Sequence, residues 1–336
     1  MARKSKEEYF DKAWNPITGC AENCAVCPGR SRIRSLGGDI RRNKTLTDNY
    51  LKDGQVYVLE KEFKQDGRTI LYPFGFEPTI HKYRFSRLPY KSGHKIMVGS
   101  TGEIFGPWIK DRWLEKVFQV CEANPQHIYL FLTNFKERYE SLRKAGKLPA
   151  AENMWYGIYD FGWPTEIPDL PDTCHKWLYA DVTGGDVILA RKKPEWVVIQ
   201  CRAGLRDNDI FDPGILENRI QNLSYQCAAW KIPFYITPGA RKFLSVEEGK
   251  MDWPEEMIKY LRDNLHTKEQ ERILYTECDI CRKTFRKREM YPIDTRKSGM
   301  GQKNVGYVCQ ECASILEQEY GFRFSRLEEA HEKTKL

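Results

Sequence analysis

Seven of the 11 cysteines of this chain fall into two tight groups. The first group is a C-x3-C-x2-C motif formed by Cys20, Cys24 and Cys27. The second consists of two C-x2-C pairs near the C-terminus: Cys278, Cys281, Cys309 and Cys312. The N-terminus is charged and has no apolar signal segment. In such a chain, clustered thiols are more typical of metal ligands than of disulfides.

Three thiolates on one short loop suit a [4Fe–4S] cluster in which one iron has no protein ligand. That open iron can chelate the amino and carboxylate groups of S-adenosylmethionine. Electron transfer into the sulfonium then breaks a C–S bond and yields a 5′-deoxyadenosyl radical. Clusters that relay electrons usually have four protein ligands. A motif with only three cysteines therefore favours a cluster that takes part in a reaction over one that only transfers electrons. A zinc site completed by a distant residue is the alternative that the spacing leaves open.

The second cysteine group predicts a different metal. Two C-x2-C pairs offer four thiolates, which is the donor set of closed structural zinc sites. We expect Zn²⁺ in a zinc-ribbon or treble-clef-like unit of about 50 residues, whose folding depends on the metal. An auxiliary iron–sulfur cluster is the alternative. The segment from Arg282 to Lys303 is strongly basic. This basic segment could bind a phosphate backbone. The alternative is that the unit only packs against the rest of the chain and binds no nucleic acid.

The elements around these motifs predict an α/β protein. Short apolar runs predict strands at Trp14–Thr18, Thr69–Phe74, Lys95–Gly99, Ile128–Thr133, Met154–Ile158, Trp177–Ala180, Trp196–Ile199 and Phe234–Thr237. Helical periodicity predicts helices at Asp111–Ala123, Lys136–Ala145 and Pro213–Lys231. This alternation predicts right-handed βαβ units in a partial or full (β/α) barrel.

The length of 336 residues predicts about two domains. We expect the barrel domain at 1–245, with an insertion near 45–67 that contains two turn signals. A helical linker is expected at 246–270, and the four-cysteine domain with a charged tail at 271–336. No run of 18 apolar residues occurs, so no membrane helix is expected. The expected location is the cytoplasm of a bacterium or of a phage-infected host.

The charge distribution is consistent with a polyanionic partner. The net charge is +7, and a second basic stretch lies beside the first cysteine group. Its basic residues are Arg30, Arg32, Arg34, Arg41, Arg42 and Lys44. Nucleic acid is the first candidate, and an ordinary solvated basic face is the alternative.

The segment Tyr72-Pro73-Phe74-Gly75-Phe76-Glu77-Pro78 follows the second predicted strand. Together with the cysteine loop after the first strand, it resembles the radical-SAM superfamily. In that superfamily a G-G-E-P element at the end of strand two binds the methionyl amino group. The resemblance implies a radical-SAM type of barrel, with Gly75, Glu77 and Pro78 at the cofactor. It also implies an electron donor such as flavodoxin.

A narrower resemblance begins at Trp14-Asn15-Pro16-Ile17-Thr18-Gly19-Cys20. This opening is similar to that of a predicted radical-SAM family common in phages and prophages. The resemblance covers roughly residues 12–240. The chain departs from that family in the spacing of its first two cysteines and at Val26, where an aromatic residue is frequent. It also has Gln200–Gly204 where a G-G-E-S-G run is usual, so the substrate end is expected to have diverged.

The loops that follow the strands should hold the site residues. We expect cofactor contacts from Ser100, Glu103 and Asn134. The candidates at the substrate end are Asp160, Asp181, Cys201 and Arg202, and we expect Asp181, Cys201 and Arg202 to be catalytic. A thiol at Cys201 could return a hydrogen atom to a product radical, as in radical-SAM enzymes that repair DNA photoproducts. The alternative for Cys201 is a buried cysteine that only packs.

The leading hypothesis is a radical-SAM enzyme that modifies or rearranges a nucleic-acid base. Because of the phage resemblance, we expect the substrate to be DNA with a hypermodified thymine, and the reaction to be an isomerase or mutase reaction. A radical-SAM lyase that repairs a DNA lesion is a close alternative. A non-catalytic nucleic-acid-binding protein with two structural zinc sites is an alternative of another class. A radical enzyme acting on a peptide, with an auxiliary cluster at the C-terminal cysteines, is a third.

Overall fold

The computed structural model describes most of the chain from residue 9 to residue 264 and short stretches beyond it. The described residues are 9–22, 24, 27, 29–30, 33, 36–86, 88, 93–162, 167–189, 194–202, 212–244, 252–264, 275–277, 284–286, 291–293 and 306–320. The chain divides into two compact units, Met1–Asn264 and Leu265–Leu336. No helix among these residues is long and apolar enough to cross a membrane.

The first unit contains thirteen strands and six α-helices within its described residues. The strands are β1 (Lys12–Trp14), β2 (Ile17–Thr18), β3 (Leu51–Asp53), β4 (Val56–Leu59), β5 (Lys64–Gln65), β6 (Arg68–Thr69), β7 (Thr79–His81), β8 (Lys95–Val98), β9 (Ile128–Thr133), β10 (Met154–Asp160), β11 (His175–Asp181), β12 (Trp196–Gln200) and β13 (Phe234–Ile236). The helices are α1 (Ile40–Thr45), α2 (Asp111–Glu122), α3 (Lys136–Lys144), α4 (Pro213–Ala229), α5 (Pro238–Arg241) and α6 (Glu255–Asp263).

Seven parallel strands form a curled half-barrel sheet in the order β1-β8-β9-β10-β11-β12-β13. The predicted α/β class and parallel sheet are therefore confirmed. The strands are apolar on consecutive residues because both faces of the sheet are buried. Helices α2 and α4 place their periodic apolar residues, among them Val117 and Ile220, in the same core. The predicted α2 and α3 differ from the observed helices only by one residue at the C-terminal end.

The predicted strand Thr69–Phe74 is wrong. Only Arg68–Thr69 is extended, in a short antiparallel pair with β5, and a turn follows. Pro73 cannot donate to a strand ladder, and Gly75 adopts φ +64°. The apolar residues of this segment serve another purpose, since Phe74 stacks on Tyr57 with ring centroids 3.9 Å apart. The segment that bears Glu77 therefore does not end a strand of the half-barrel.

The predicted strand Trp14–Thr18 is divided between two sheets. β1 pairs with β8 in the half-barrel, whereas β2 pairs with β7 in a separate four-stranded sheet of order β2-β7-β4-β3. Pro16 lies between the two strands and has no N–H for a ladder. The hairpins β3–β4 and β5–β6 have their turns at the two signals predicted for the insertion near 45–67.

Helix α6 belongs to the first unit, because it ends before the boundary at Asn264. Its residues Met257, Ile258 and Leu261 are buried. The Tyr260 hydroxyl donates to Pro125 O at 2.6 Å. This helix lies within the segment expected as a linker at 246–270.

The second unit has two antiparallel strand pairs and one α-helix in its described residues. β14 (Tyr275–Glu277) pairs with β15 (Thr284–Arg286), and β16 (Tyr291–Ile293) pairs with β17 (Gly306–Val308). Helix α7 (Gln310–Tyr320) follows directly. Cys309 and Cys312 are buried at its beginning. Cys278, Cys281 and most of the basic segment lie outside the described residues.

Candidate active site

The carboxyl ends of the parallel strands bring the predicted site residues to one edge of the sheet. Ser100 follows β8, Asn134 follows β9 and Asp160 ends β10. At the next two strands, Asp181 ends β11, and Cys201 and Arg202 follow β12. This is the edge at which (β/α) proteins place their substrates.

The first cysteine loop is fixed to this edge through Gly19. Gly19 N donates to Thr101 O at 3.0 Å, and Glu103 N donates to Gly19 O at 3.0 Å. Gly19 has φ +79°, and a Cβ there would lie 2.4 Å from the carbonyl oxygen of Glu77. Only glycine fits this conformation and this close approach.

Cys20 is joined directly to the turn that bears Glu77. Its backbone N–H donates to Phe76 O at 2.9 Å. The guanidinium of Arg30 makes a second connection, because it lies 5.0 Å from the Phe76 ring centroid and donates to Glu22 O at 2.7 Å. The cysteine motif and the Gly75–Pro78 turn, which are far apart in the sequence, therefore form one local structure.

Backbone N–H groups already point at two of the three sulfurs. Glu22 N donates to Cys20 Sγ and Arg30 N donates to Cys27 Sγ, each at 3.4 Å. Cys24 is exposed. Burial raises the pKa of Cys20 to about 12, and the charges of Glu103, Cys24 and Cys27 act in the same direction. Within the described residues, no group of three or more His, Cys, Asp or Glu side chains is placed to hold a metal ion.

Glu77 presents a partly exposed carboxylate on the turn whose backbone is hydrogen-bonded to the cysteine loop. Its backbone is set by a turn, in which Gly75 N donates to Tyr72 O at 2.9 Å and Glu77 N to Phe74 O at 3.3 Å. The carboxylate forms an ion pair with Lys44. Burial, and next the negative charge of Glu77, raises the pKa of Tyr57. The sequence had indicated Glu77 but not Lys44 as a site residue.

Lys44 reaches Glu77 because helix α1 is anchored on the same turn. Asn43 is fully buried, and its Nδ2 donates to Gly37 O at 3.0 Å and to Pro73 O at 2.9 Å. Ile40 packs over Gly75, where a Cβ would lie 2.8 Å from Ile40 Cδ1. The sequence signal for this contact is slight: Asn43 is an uncharged residue within the basic run from Arg41 to Lys44.

The predicted cofactor residues on the next two loops are engaged with the protein. Glu103 is buried, and its carboxylate accepts from Phe105 N at 3.1 Å, from the Thr133 hydroxyl at 2.7 Å and from Asn134 N at 3.0 Å. Burial raises its pKa. The Ser100 hydroxyl donates to Asn15 Oδ1 at 3.2 Å. These contacts join the loops after β8 and β9 to one another and to Asn15 in the Trp14-Asn15-Pro16 segment.

Asp181 is the centre of a buried polar network at the ends of β10, β11 and β12. Its Oδ2 accepts from the Tyr159 hydroxyl and pairs with Arg202 Nε, both at 2.8 Å. Its Oδ1 accepts from Thr183 N at 3.0 Å and from the Thr183 hydroxyl at 2.5 Å. Burial raises the pKa of Asp181, while the bonds from Thr183 oppose the shift. The guanidinium carbon of Arg202 lies 4.9 Å from the Tyr159 ring centroid and 5.7 Å from that of Phe161.

Cys201 adjoins this network. Its side chain is buried, and the Thr183 hydroxyl oxygen lies 3.7 Å from its sulfur. Arg202 N donates to the same hydroxyl oxygen at 2.7 Å. The three residues predicted for the substrate end, Asp181, Cys201 and Arg202, are thus joined through Thr183, which the sequence had not indicated.

Comparison with known proteins gives one result for this chain. Residues 4–239 match the family described as "Protein of unknown function (DUF5131)". The chain belongs to the DUF5131 family. No curated protein and no solved structure matches it. The part shared with DUF5131 contains the cysteine loop, the Glu77 turn and the Asp181 network, and it ends within α5, before α6 and the second unit.

Proposed function

We propose that this protein is a radical S-adenosylmethionine enzyme. The observation that carries the proposal is the junction of the three-cysteine loop with the Gly75–Pro78 turn, through the hydrogen bond from Cys20 N to Phe76 O. It joins a loop that bears three soft thiolate ligands to a turn that bears Glu77, whose carboxylate is suited to an ammonium group. Both lie at the carboxyl edge of a parallel half-barrel sheet, where substrates bind in this class of fold.

The donor set fits a [4Fe–4S] cluster better than a single metal ion. A cube takes its three cysteines on three different irons, so their sulfurs need not converge on one point. The N–H donors at Cys20 Sγ and Cys27 Sγ are the kind of contacts that tune iron–sulfur clusters. Cys24 is exposed, so it is accessible for the loading of a cluster.

When bound, the cluster supplies the electron that cleaves the sulfonium C–S bond of S-adenosylmethionine. The chain's own residues then have positioning roles. Glu77 would accept from the ligand ammonium. Gly75 lets helix α1 pack closely on the Glu77 turn, because its missing side chain leaves room for Ile40. Glu103 fixes the loops after β8 and β9 around the site, because it accepts hydrogen bonds from both.

We propose that the substrate is a nucleic-acid base, and that this base is a hypermodified thymine in phage DNA. The support is the positive charge beside the cofactor site. Arg30, over the Phe76 ring, and Arg41, on helix α1, which packs against the Glu77 turn, are exposed. Such a surface attracts a phosphate backbone. The Asp181 network, with its stacked Arg202, would form the substrate end.

The proposed reaction is a rearrangement of the base. The alternative within the same class of enzyme is a radical-SAM lyase that repairs a DNA lesion. Cys201 decides between them, because a lyase that needs its thiol would lose product formation in Cys201→Ala. A rearrangement that returns the hydrogen atom from 5′-deoxyadenosine would keep it. The buried position of Cys201 next to Thr183 is compatible with a packing role. We expect Cys201→Ala to retain product formation.

For the second unit we propose a structural Zn²⁺ site. In the sequence, Cys278 and Cys281 lie between the paired strands β14 and β15, and the second C-x2-C pair lies at the start of α7. One ligand pair between two paired strands, followed along the chain by a helix that starts at the other pair, suits a treble-clef-like zinc unit. The Cys309 and Cys312 side chains are buried, as ligands of a closed site are.

Anaerobic reconstitution tests the proposal. The full chain is loaded with iron and sulfide, and iron and zinc are counted for the wild type and for Cys24→Ala. We expect about four irons and about one zinc per chain in the wild type. The iron should be lost in Cys24→Ala, while the zinc stays. Zinc at both cysteine groups and no iron would instead favour the non-catalytic nucleic-acid-binding protein.

A further inference from the structure

We infer that the exposed ring of Phe161, supported by Tyr159 and Arg202, is the surface on which an unpaired nucleic-acid base stacks. This inference rests on the proposed function, because it names the side chains that would hold the proposed substrate. The complementary class of ligand is a planar, uncharged heteroaromatic ring attached to a phosphate backbone. Phe161 was not among the site residues that the sequence indicated.

Phe161 is an exposed aromatic residue at the carboxyl edge of the half-barrel sheet. It directly follows Asp160, the last residue of β10. Phe161 is 41% exposed, whereas Trp155 and Tyr156, further back on the same strand, are buried. Single exposed apolar residues are common in proteins, so exposure alone does not make Phe161 a site. What distinguishes it is the way in which its backbone and its ring are held.

The backbone around Phe161 is fixed between two neighbouring loops. Gly162 N donates to Asp160 Oδ1 at 2.8 Å. Gly162 has φ +89°, and a Cβ there would lie 2.5 Å from Gly185 Cα. A Cβ on Gly184 would lie 2.6 Å from the carbonyl oxygen of Phe161. The loop after β10 therefore packs closely on the loop after β11, which holds Phe161 in place at the edge of the sheet.

The ring of Phe161 lies against a second ring and a guanidinium group. The centroids of Phe161 and Tyr159 are 4.1 Å apart, and the guanidinium carbon of Arg202 is 5.7 Å from the Phe161 centroid. Asp181 orients both supporting groups, because its Oδ2 accepts from the Tyr159 hydroxyl and pairs with Arg202 Nε. The buried network thus fixes the two groups that support the exposed ring.

This combination fits a nucleic-acid base better than a cationic or simple apolar ligand. Unpaired bases stack on aromatic rings and on the planes of arginine side chains. A lysine or another cation also binds over aromatic rings, but Arg202 already places a positive charge against both rings here. That charge disfavours a second cation, and it counts against the peptide alternative with a basic side chain at this position.

Equilibrium binding to the anaerobically reconstituted full chain tests the inference. The probes are a short single-stranded oligothymidylate and an abasic oligonucleotide of the same length, which has the same phosphates but no bases. We expect the wild type to bind the oligothymidylate more tightly. Phe161→Ala should weaken that binding about tenfold, because a base–aromatic stack is lost. Its binding of the abasic probe should match that of the wild type, which also shows that the variant is folded.

Two further variants separate stacking from apolar contact. Phe161→Tyr keeps an aromatic face and should bind the oligothymidylate as the wild type does. Phe161→Leu keeps an apolar side chain without an aromatic face and should lose binding as Phe161→Ala does. The matched control is Tyr225→Ala, which should change nothing. Tyr225 is 68% exposed, but it lies near the end of α4, where the chain returns to the start of β13.

Wild-type binding of the oligothymidylate by Phe161→Ala or by Phe161→Leu would overturn the stacking role. If the wild type binds the two probes equally, or binds neither, no base is recognised and the proposed substrate itself fails. That result appears before any variant is compared. Cleavage of S-adenosylmethionine tests the assignment as a radical enzyme without either probe, so the failures are distinguishable.

Discussion

Asp53 shows how one carboxylate attaches the β3–β4 hairpin to helix α2. It pairs with Lys110 and with Arg112 at 2.5 Å each, and it accepts from Trp113 Nε1 at 2.8 Å. The hydrogen bond from Lys110, which is the largest effect, together with those from Trp113 and Arg112, lowers the pKa of Asp53 to about 2. The ionised form of this residue is therefore favoured in the folded state.

The first prediction concerns the stability that Asp53 provides. Its pKa is lower in the folded chain than the ordinary value of 3.8, so its contribution is present above about pH 4 and is lost as the pH falls toward 2. We expect Asp53→Asn to lower the free energy of unfolding by about 1–2 kcal/mol at pH 7. Urea unfolding between pH 7 and pH 3 measures this.

The control for that prediction is Asp66→Asn, which removes an ion pair with Arg42 in which the Asp66 side chain is 69% exposed. Its cost should stay within about 0–1 kcal/mol. The difference between wild type and Asp53→Asn should narrow as the solution is acidified. A difference that stays constant over this pH range would contradict the account of Asp53.

The second prediction concerns Asp181. Removing its carboxylate in Asp181→Ala leaves the guanidinium of Arg202 and two hydroxyl groups without their shared acceptor. We expect the free energy of unfolding to fall by about 3–5 kcal/mol. In Asp181→Ala/Arg202→Met the loss should be clearly smaller than the sum of the two single losses. Additive losses would show that the pair is not coupled.

At the scale of elements, sequence periodicity predicted the half-barrel well. β9 has the predicted bounds, and α2 ends one residue earlier than expected. The strand was predictable because both faces of its sheet are buried, and the helix because one whole stripe of its side chains is buried in the same core. The turn at Ile70–Phe74 was not, because apolar residues there pack in a local aromatic cluster with Tyr57 and look like a buried strand in the sequence.

The cysteine loop as an element depends on the left-handed Gly19. The third prediction is that Gly19→Ala destabilises the chain by about 2–4 kcal/mol and lowers its iron content, because the new Cβ would overlap the Glu77 carbonyl. Thermal or urea unfolding and an iron assay after reconstitution measure the two effects.

Gly54→Ala is the matched control for Gly19→Ala. Gly54 also has a positive φ, +66°, but nothing lies within 4 Å of its Cβ position. It should cost only about 1 kcal/mol and leave the iron content unchanged. Equal effects of the two substitutions would contradict the close approach of the cysteine loop to the Glu77 turn.

At the scale of the whole molecule, the two cysteine groups fall in different compact units. The fourth prediction is that Cys312→Ser lowers the zinc content by about one per chain and leaves the iron content unchanged. Metal analysis of the full chain after reconstitution tests this. A fall in iron instead would show that the second unit holds an auxiliary cluster.

The sequence indicated candidate residues of the site but not all of its geometry. Cys20, Cys24 and Cys27 were indicated by residue type and spacing, and Glu77 by the resemblance of its segment to the radical-SAM superfamily. Lys44 was not, because its pairing with Glu77 across 33 positions arises only when α1 packs on the turn. Thr183 was missed for a similar reason, since its role depends on neighbouring strands that bring Asp181 and Cys201 together.

The most direct test of the central claim is cleavage of S-adenosylmethionine. Reconstituted full chain is mixed with dithionite and S-adenosylmethionine without oxygen, and 5′-deoxyadenosine is measured. We expect the nucleoside from the wild type and none from Cys24→Ala, whose exposed side chain makes loss of folding unexpected. The absence of 5′-deoxyadenosine from wild-type protein that carries about four irons per chain would contradict the assignment as a radical enzyme.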